Sequence, residues 1–128
     1  MELLKVKITL PATAEKLHQS WLSSKEHTAF TGATAKASTK VNDAHSFWNN
    51  YITGKNVELI PNKKIVQTWR SIEFDESAPD SMLEITFEEK ENKTTLNLHH
   101  YNLQKGDAKK YTDGWKESYF EPMKDYFK

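Results

Sequence analysis

The chain has 128 residues, carries 18 lysines and arginines against 18 aspartates and glutamates, and contains no cysteine. A net charge of zero lacks the basic footprint with which a nucleic-acid binder neutralises phosphates. The missing cysteines exclude disulfides, thiolate metal sites and a thiol nucleophile, and fit a reducing, cytoplasmic setting. One domain spanning 1–128 is expected, able to bury roughly two-thirds of the surface of its unfolded chain without covalent staples.

Leu4, Val6, Ile8 and Leu10 alternate with Lys5, Lys7 and Thr9, the period-two pattern of a half-buried strand, and Pro11 ends it. No apolar run of signal-peptide length occurs in Met1 to Lys7, so neither export nor membrane insertion is expected. Thr13 caps a short predicted helix over 14–22 with Ala14, Leu17, Trp21 and Leu22 on one face. Ser23 and Glu26 have capping-box spacing for a second short helix that runs through Phe30 and stops at Gly32. Six strand-length runs follow, at 34–40, 45–51, 52–60, 64–71, 81–89 and 94–101. Turn chemistry separates them at Asn42-Asp43, Thr53-Gly54-Lys55-Asn56, Pro61-Asn62-Lys63, Asp75 to Asp80 and Glu91-Asn92-Lys93. Leu83, Ile85 and Phe87 alternate with Met82, Glu84 and Thr86, so one face of an antiparallel sheet is wet. From about Ala108 to Phe127 one long helix is expected, with Tyr111, Trp115, Tyr119, Met123 and Tyr126 winding an apolar stripe along it. Pro122 cannot donate to the Ser118 carbonyl, so the helix should bend or loosen there. The order is α+β: a curved sheet that needs one helix to cover it.

Several local phrases in this order resemble a known family. They are Phe30-Thr31-Gly32, the run Tyr51-Ile52-Thr53-Gly54 through Ile65-Val66-Gln67-Thr68-Trp69-Arg70, Thr94-Thr95-Leu96, and Gly114-Trp115 followed by Tyr119-Phe120-Glu121-Pro122-Met123-Lys124. Together they resemble the activator of heat-shock protein 90 ATPase homologue family, within the START-like (helix-grip, SRPBCC) superfamily, over nearly the whole chain. The resemblance implies a sheet of about seven antiparallel strands gripping a long C-terminal helix, in the order β-α-α-β6-α, with a cavity between them in many relatives. It also implies a choice of partner. Eukaryotic activators use a domain like this as the C-terminal half of a co-chaperone, whereas other branches of the superfamily bind lipids, hormones or polyketides. Two departures stand out: relatives often have paired glycines where this chain has Ala44-His45, and a Trp-Pro-x-Gly-His-like loop where it has the acidic run Ser71 to Asp80.

Sites of chemistry are few. His99 and His100 are neighbours on a strand and point to opposite faces, so they cannot close on one metal ion. His100 shares parity with Leu96 and Leu98 and is expected inside. Asp75, Glu76 and Asp80 lie in a polar loop with serine and proline, not as two carboxylates positioned across a cleft. No nucleophile elbow, P-loop or dinucleotide fingerprint is present. Trp69 and Arg70 must look opposite ways. If Trp69 faces the helix, Gln67 is an inward polar group able to orient a ligand, and Arg70 pairs with a surface acid such as Glu84 or Glu58; if Arg70 faces in, it needs an anionic partner. Phe47, Trp48 and Tyr51 form an aromatic cluster on neighbouring strands, fit either for core or for a pocket wall.

The expected function is non-enzymatic, with no cofactor and no metal. A small hydrophobic molecule would enter the sheet-helix cavity, its lining drawn from Trp48, Tyr51, Gln67, Trp69, Met82, His100, Trp115, Tyr119 and Met123. The alternative is a module that binds or stimulates a heat-shock protein 90-type chaperone. Neither nucleic acid nor membrane is an expected partner.

Overall fold

A computed structural model describes all of residues 1–128. Its elements in chain order are β1 (Glu2–Leu10), α1 (Ala14–Trp21), α2 (Ser24–Thr31), β2 (Ala44–Phe47), β3 (Ile52–Ile60), β4 (Lys64–Ser71), β5 (Ser81–Lys90) and β6 (Lys93–Leu103). A C-terminal helix follows as α3 (Asp107–Gly114), a π-helical turn (Trp115–Phe120) and α4 (Glu121–Tyr126). The antiparallel strands lie in the order β1-β6-β5-β4-β3-β2. This is the helix-grip arrangement, with six strands instead of about seven.

The strand expected over 34–40 accounts for the difference, for it makes only one isolated bridge, Lys36 to Ser46. Side chains satisfy its backbone instead. Thr28 exchanges hydrogen bonds with Ala35, Ser24 does so with Ala37, and the Asn56 amide donates to the carbonyls of Ser38 and Lys40 at 2.9 Å each. With those groups occupied, no ladder is required. The strand expected over 45–51 is also shorter. Trp48, Asn49 and Asn50 all take left-handed backbone angles, with φ of 56°, 54° and 71°, so Trp48 and Tyr51 sit in the β2–β3 turn and not on strands. Thr53 to Asn56 is no turn but part of β3. Gly54 lies opposite His45 there, and a Cβ on it would collide with the Thr68 carbonyl oxygen, so only glycine permits this approach.

The helix caps follow from the sequence. Thr13 accepts from Lys16 N–H, Ser23 accepts from Glu26 N–H, and Gly32 ends α2 with φ 80°. Two further caps come from distant strands. Glu2 on β1 accepts from the N–H groups of Gly106 and Ala108 and so anchors the start of α3, while Glu89 on β5 accepts from Ala14 N–H at the start of α1.

The core lies between the sheet and the helices, built on Leu4, Ile8 and Leu10 of β1, Leu83 and Ile85 of β5, Leu96 and Leu98 of β6, and Trp21, Phe30, Trp115 and Tyr119 from the helices. Polar groups run through it as pairs. Trp115 Nε1 donates to His100 Nδ1 at 3.1 Å, His100 Nε2 donates to Ser81 Oγ at 2.8 Å, and Ser81 Oγ donates to the Trp69 carbonyl at 2.6 Å. This chain assigns the imidazole as the neutral Nε2–H tautomer. Likewise His27 donates through Nδ1 to the Trp21 carbonyl at 2.9 Å and accepts at Nε2 from the Tyr119 hydroxyl at 3.1 Å. Trp21 Nε1 donates to Gln67, whose amide donates to Asn56. The Ser20 hydroxyl and the His45 ring are left without partners. The His45 ring stacks on Phe47, which stacks in turn on His27, yet neither His45 nitrogen has a hydrogen-bond partner within the protein.

In the C-terminal helix the loosening expected at Pro122 falls in the turn before it. There Glu121 N–H donates to Lys116 five residues back instead of four. In that register the residue facing the Glu117 carbonyl is Pro122, which has no N–H to offer. One residue is thereby looped out, and Trp115, Tyr119 and Phe120 all stay buried on the near face.

Burial pushes His27 and His100 down to about 3 and His45 to about 4, so all three are neutral in the folded protein and titrate normally when unfolded. The unfolded chain therefore binds more protons as pH falls through the ordinary histidine range. Stability is full above about pH 6.5 and is lost below it, by roughly 1.4 kcal/mol per pH unit for each histidine. Urea titrations between pH 7.5 and 5 are expected to show this steep loss, and a flat profile would contradict it. Replacing Pro122 with Ala restores an N–H but frees the unfolded chain, two effects of about 1 kcal/mol and opposite sign. The expected result in a thermal melt is a Tm within a few degrees of the parent and an unchanged fold; a collapse in Tm would show that the proline itself holds the turn.

Candidate functional site

α3 packs against β1, and α4 packs against α2, so the C-terminal helix leans away from the β2–β3 end of the sheet. The space left there is a cavity of about 450 Å³, within the size range of small-molecule sites. Three sources supply its wall. The left-handed turn and the start of β3 give Trp48, Tyr51 and Ile52, β4 gives Trp69, and the helix gives Tyr111, Gly114, Trp115, Ser118 and Tyr119; Glu73 and Lys110 stand with them.

The local chain explains each placement. Alternation on β4 directs Ile65, Gln67 and Trp69 inward, which settles the choice at Trp69-Arg70: Trp69 is buried and Arg70 faces out. Arg70 does not pair with Glu84 or Glu58. Its guanidinium donates to the carbonyls of Asp75 and Ala78 and to Asp80, and it lies 5.8 Å over the Phe74 ring, so it folds the 72–80 loop back along the sheet. That loop carries Glu73 to an ion pair with Lys110 at 2.9 Å and Phe74 to an edge contact with Tyr111 at 6.2 Å. Loop and helix thus meet at the cavity mouth. The rings inside are close-set: Trp69 lies 5.0 Å from Trp115, Trp115 lies 4.8 Å from Tyr119, and Trp48 meets Tyr119 edge-on at 5.7 Å.

Of the nine residues expected to line the cavity, Trp48, Tyr51, Trp69, Trp115 and Tyr119 converge on it. Four do not. Met82 points to the other face of β5, opposite in parity to Leu83. Met123 is core on α4, one turn past the cavity. Gln67 and His100 are inward and wholly buried, but each is spent on the internal pairs described above and presents no free group to a ligand. Conversely, Ile52, Glu73, Lys110, Tyr111, Gly114 and Ser118 line the cavity without being among the nine. Tyr111 belongs to the helical stripe already visible in the sequence, whereas Glu73 and Lys110 meet only through the fold of the loop. Burial pushes the Tyr119 phenol up, with Trp48 beside it partly offsetting, and raises Tyr111 as well; both are neutral hydroxyls.

The Ser81–His100 contact has the distance of a nucleophile and its base, yet the serine hydroxyl is turned to the Trp69 carbonyl, both groups are sealed from solvent, and no carboxylate orients the ring. No group of three His, Asp or Glu side chains is arranged to hold a metal ion, and no helix is long and apolar enough to cross a membrane.

Several solved structures agree with this fold. An HSP90 activator from Plasmodium falciparum superposes with a TM-score of 0.89 at 21% identity, covering 98% of this chain and 96% of that one. The Aha1 dimer from Colwellia psychrerythraea gives 0.82 at 20% identity, covering 99% and 96%. CalU16 from Micromonospora echinospora gives 0.82 at 14% identity, covering 98% and 75%. By sequence, the human Activator of 90 kDa heat shock protein ATPase homolog 1 is 26% identical over 125 residues, which are 94% of this chain and 37% of that protein. An uncharacterized Schizosaccharomyces pombe protein is 26% identical over 119 residues, 93% of this chain and 35% of its own length. The chain thus spans about a third of the length of these curated relatives. A family model described as Activator of Hsp90 ATPase homolog 1-like protein matches residues 11–128, and the chain belongs to that family.

Proposed function

We propose that this START-like domain acts without catalysis, by taking a small hydrophobic molecule into the cavity between the C-terminal helix and the β2–β4 end of the sheet. The observation that supports this reading is the convergence of Trp48, Tyr51, Trp69, Trp115 and Tyr119 around one open volume at the edge of a continuous buried core. Each 100 Å² of apolar ligand surface removed from water contributes about 2.5 kcal/mol. The ion pair of Glu73 and Lys110 stands where a ligand would enter.

Gly114 offers a direct test, because it lines the cavity and a Cβ added there meets no atom within 4 Å. Gly114→Leu is expected to block binding of lipophilic compounds in a thermal-shift or native mass-spectrometry screen while leaving stability equal or about 0.5–1 kcal/mol higher, since glycine is unfavourable inside a helix. A parent protein that shows no response to any compound, or a variant that binds as well as the parent, contradicts the reading.

The family description and the human relative's name favour a second reading, a surface contact with a heat-shock protein 90-type chaperone. Here the expected outcome is a changed ATPase rate of the chaperone from the same cell, or co-elution with it. Gly114→Leu separates the two, because it fills the cavity without altering the outer surface: chaperone effects should survive it. No effect at a large excess of the domain counts against this second reading.

A further inference from the structure

We propose that the ligand of this cavity is a neutral, flat aromatic compound, and neither a flexible acyl chain nor an organic cation; this rests on the ligand-binding reading above. Three observations lead there. The wall is formed by ring faces and edges from Trp48, Tyr51, Trp69, Trp115 and Tyr119, with Tyr111 near the mouth, so a flat ring finds offset or edge-on partners on several sides. Such ring contacts favour an aromatic guest beyond what its area gives, by roughly twofold to tenfold each.

His45, whose ring nitrogens are unpartnered, does not line the cavity, and the deep polar groups nearest it are closed to a ligand. His100, Gln67 and His27 each spend their donors and acceptors on Trp115 and Ser81, on Trp21 and Asn56, and on Trp21 and Tyr119. A charged or strongly hydrated headgroup would lose its water there with nothing in return. At the mouth the two charges cancel: Glu73 is held by Lys110, and the Lys110 ammonium already lies 5.5 Å from the Tyr111 ring centre, the place an organic cation would take. Two of the lining residues, Ser118 and Tyr51, carry hydroxyls, groups that suit one phenol or carbonyl on the rim of an uncharged guest.

The four tryptophans provide the readout, since Trp48, Trp69 and Trp115 line the cavity and Trp21 does not. In proton–nitrogen NMR spectra of the full chain, 2-naphthol is expected to shift the indole N–H signals of the three lining residues, with saturation, and to move that of Trp21 least. 1-Decanol, of similar mass but flexible, and tetramethylammonium are expected to bind at least tenfold more weakly. Trp48→Leu and, separately, Tyr51→Leu keep an apolar wall and should weaken 2-naphthol about tenfold while leaving 1-decanol unchanged. Tighter binding of 1-decanol or of tetramethylammonium overturns the aromatic assignment and leaves the cavity reading standing. Silence from all three probes in a folded protein overturns both.

Discussion

The hydrogen bond from the Trp115 indole to His100 joins the C-terminal helix to the middle of the sheet, and much of the structure depends on it. Through His100 and Ser81 it continues to the backbone of Trp69, so one chain of three donors ties helix, β6, β5 and β4 together. The Tyr119 to His27 bond, one helical turn on, ties the same helix to α2. Each bond is buried, so leaving any of these groups unpaired would cost about 1–3 kcal/mol, and the helix has little freedom to settle elsewhere. Held over β1, β6 and α2, it cannot also cover the start of β3. The cavity is the space that this commitment leaves.

The π-helical turn belongs to the same logic. Trp115 and Tyr119 must face the sheet while Met123 and Phe127 must face α2 and the core behind it, and Pro122 interrupts the ordinary hydrogen-bond register between the two sets. Looping out one residue reconciles them. Nearby, three consecutive left-handed residues at 48–50 bring Trp48 against Tyr119; asparagine tolerates that conformation and tryptophan does not favour it, so the strain sits beside the candidate site.

Much of this was legible in the residues. Alternation located β1, β4, β5 and β6, side-chain capping located α1 and α2, and the aromatic stripe of the last helix carries three of the cavity's rings, Tyr111, Trp115 and Tyr119. What stayed hidden depended on contacts between distant residues. The segment 34–40 has strand-like composition, but side chains of α2 and Asn56 claim its backbone. Gln67 and His100 are inward as parity requires, yet parity cannot tell that Trp21 and Trp115 would consume them. The Glu2 cap on α3 and the Glu73–Lys110 pair span 104 and 37 residues, distances no local pattern registers. Met82, expected in the lining, lies instead on the wet face, where its alternation with Leu83 puts it, so here the local pattern argued against the expectation.

The space bounded by Trp48, Tyr51, Trp69 and Trp115 is what a helix fixed through Trp115 and His100 leaves uncovered. A crystal structure of the protein purified without denaturation tests it most directly. The expected result is that this space is open or holds a small organic molecule, with the Trp115 indole still bonded to His100. A helix settled onto β3, or a Trp48 ring turned inward to fill the volume with the Trp115–His100 bond broken, would contradict it.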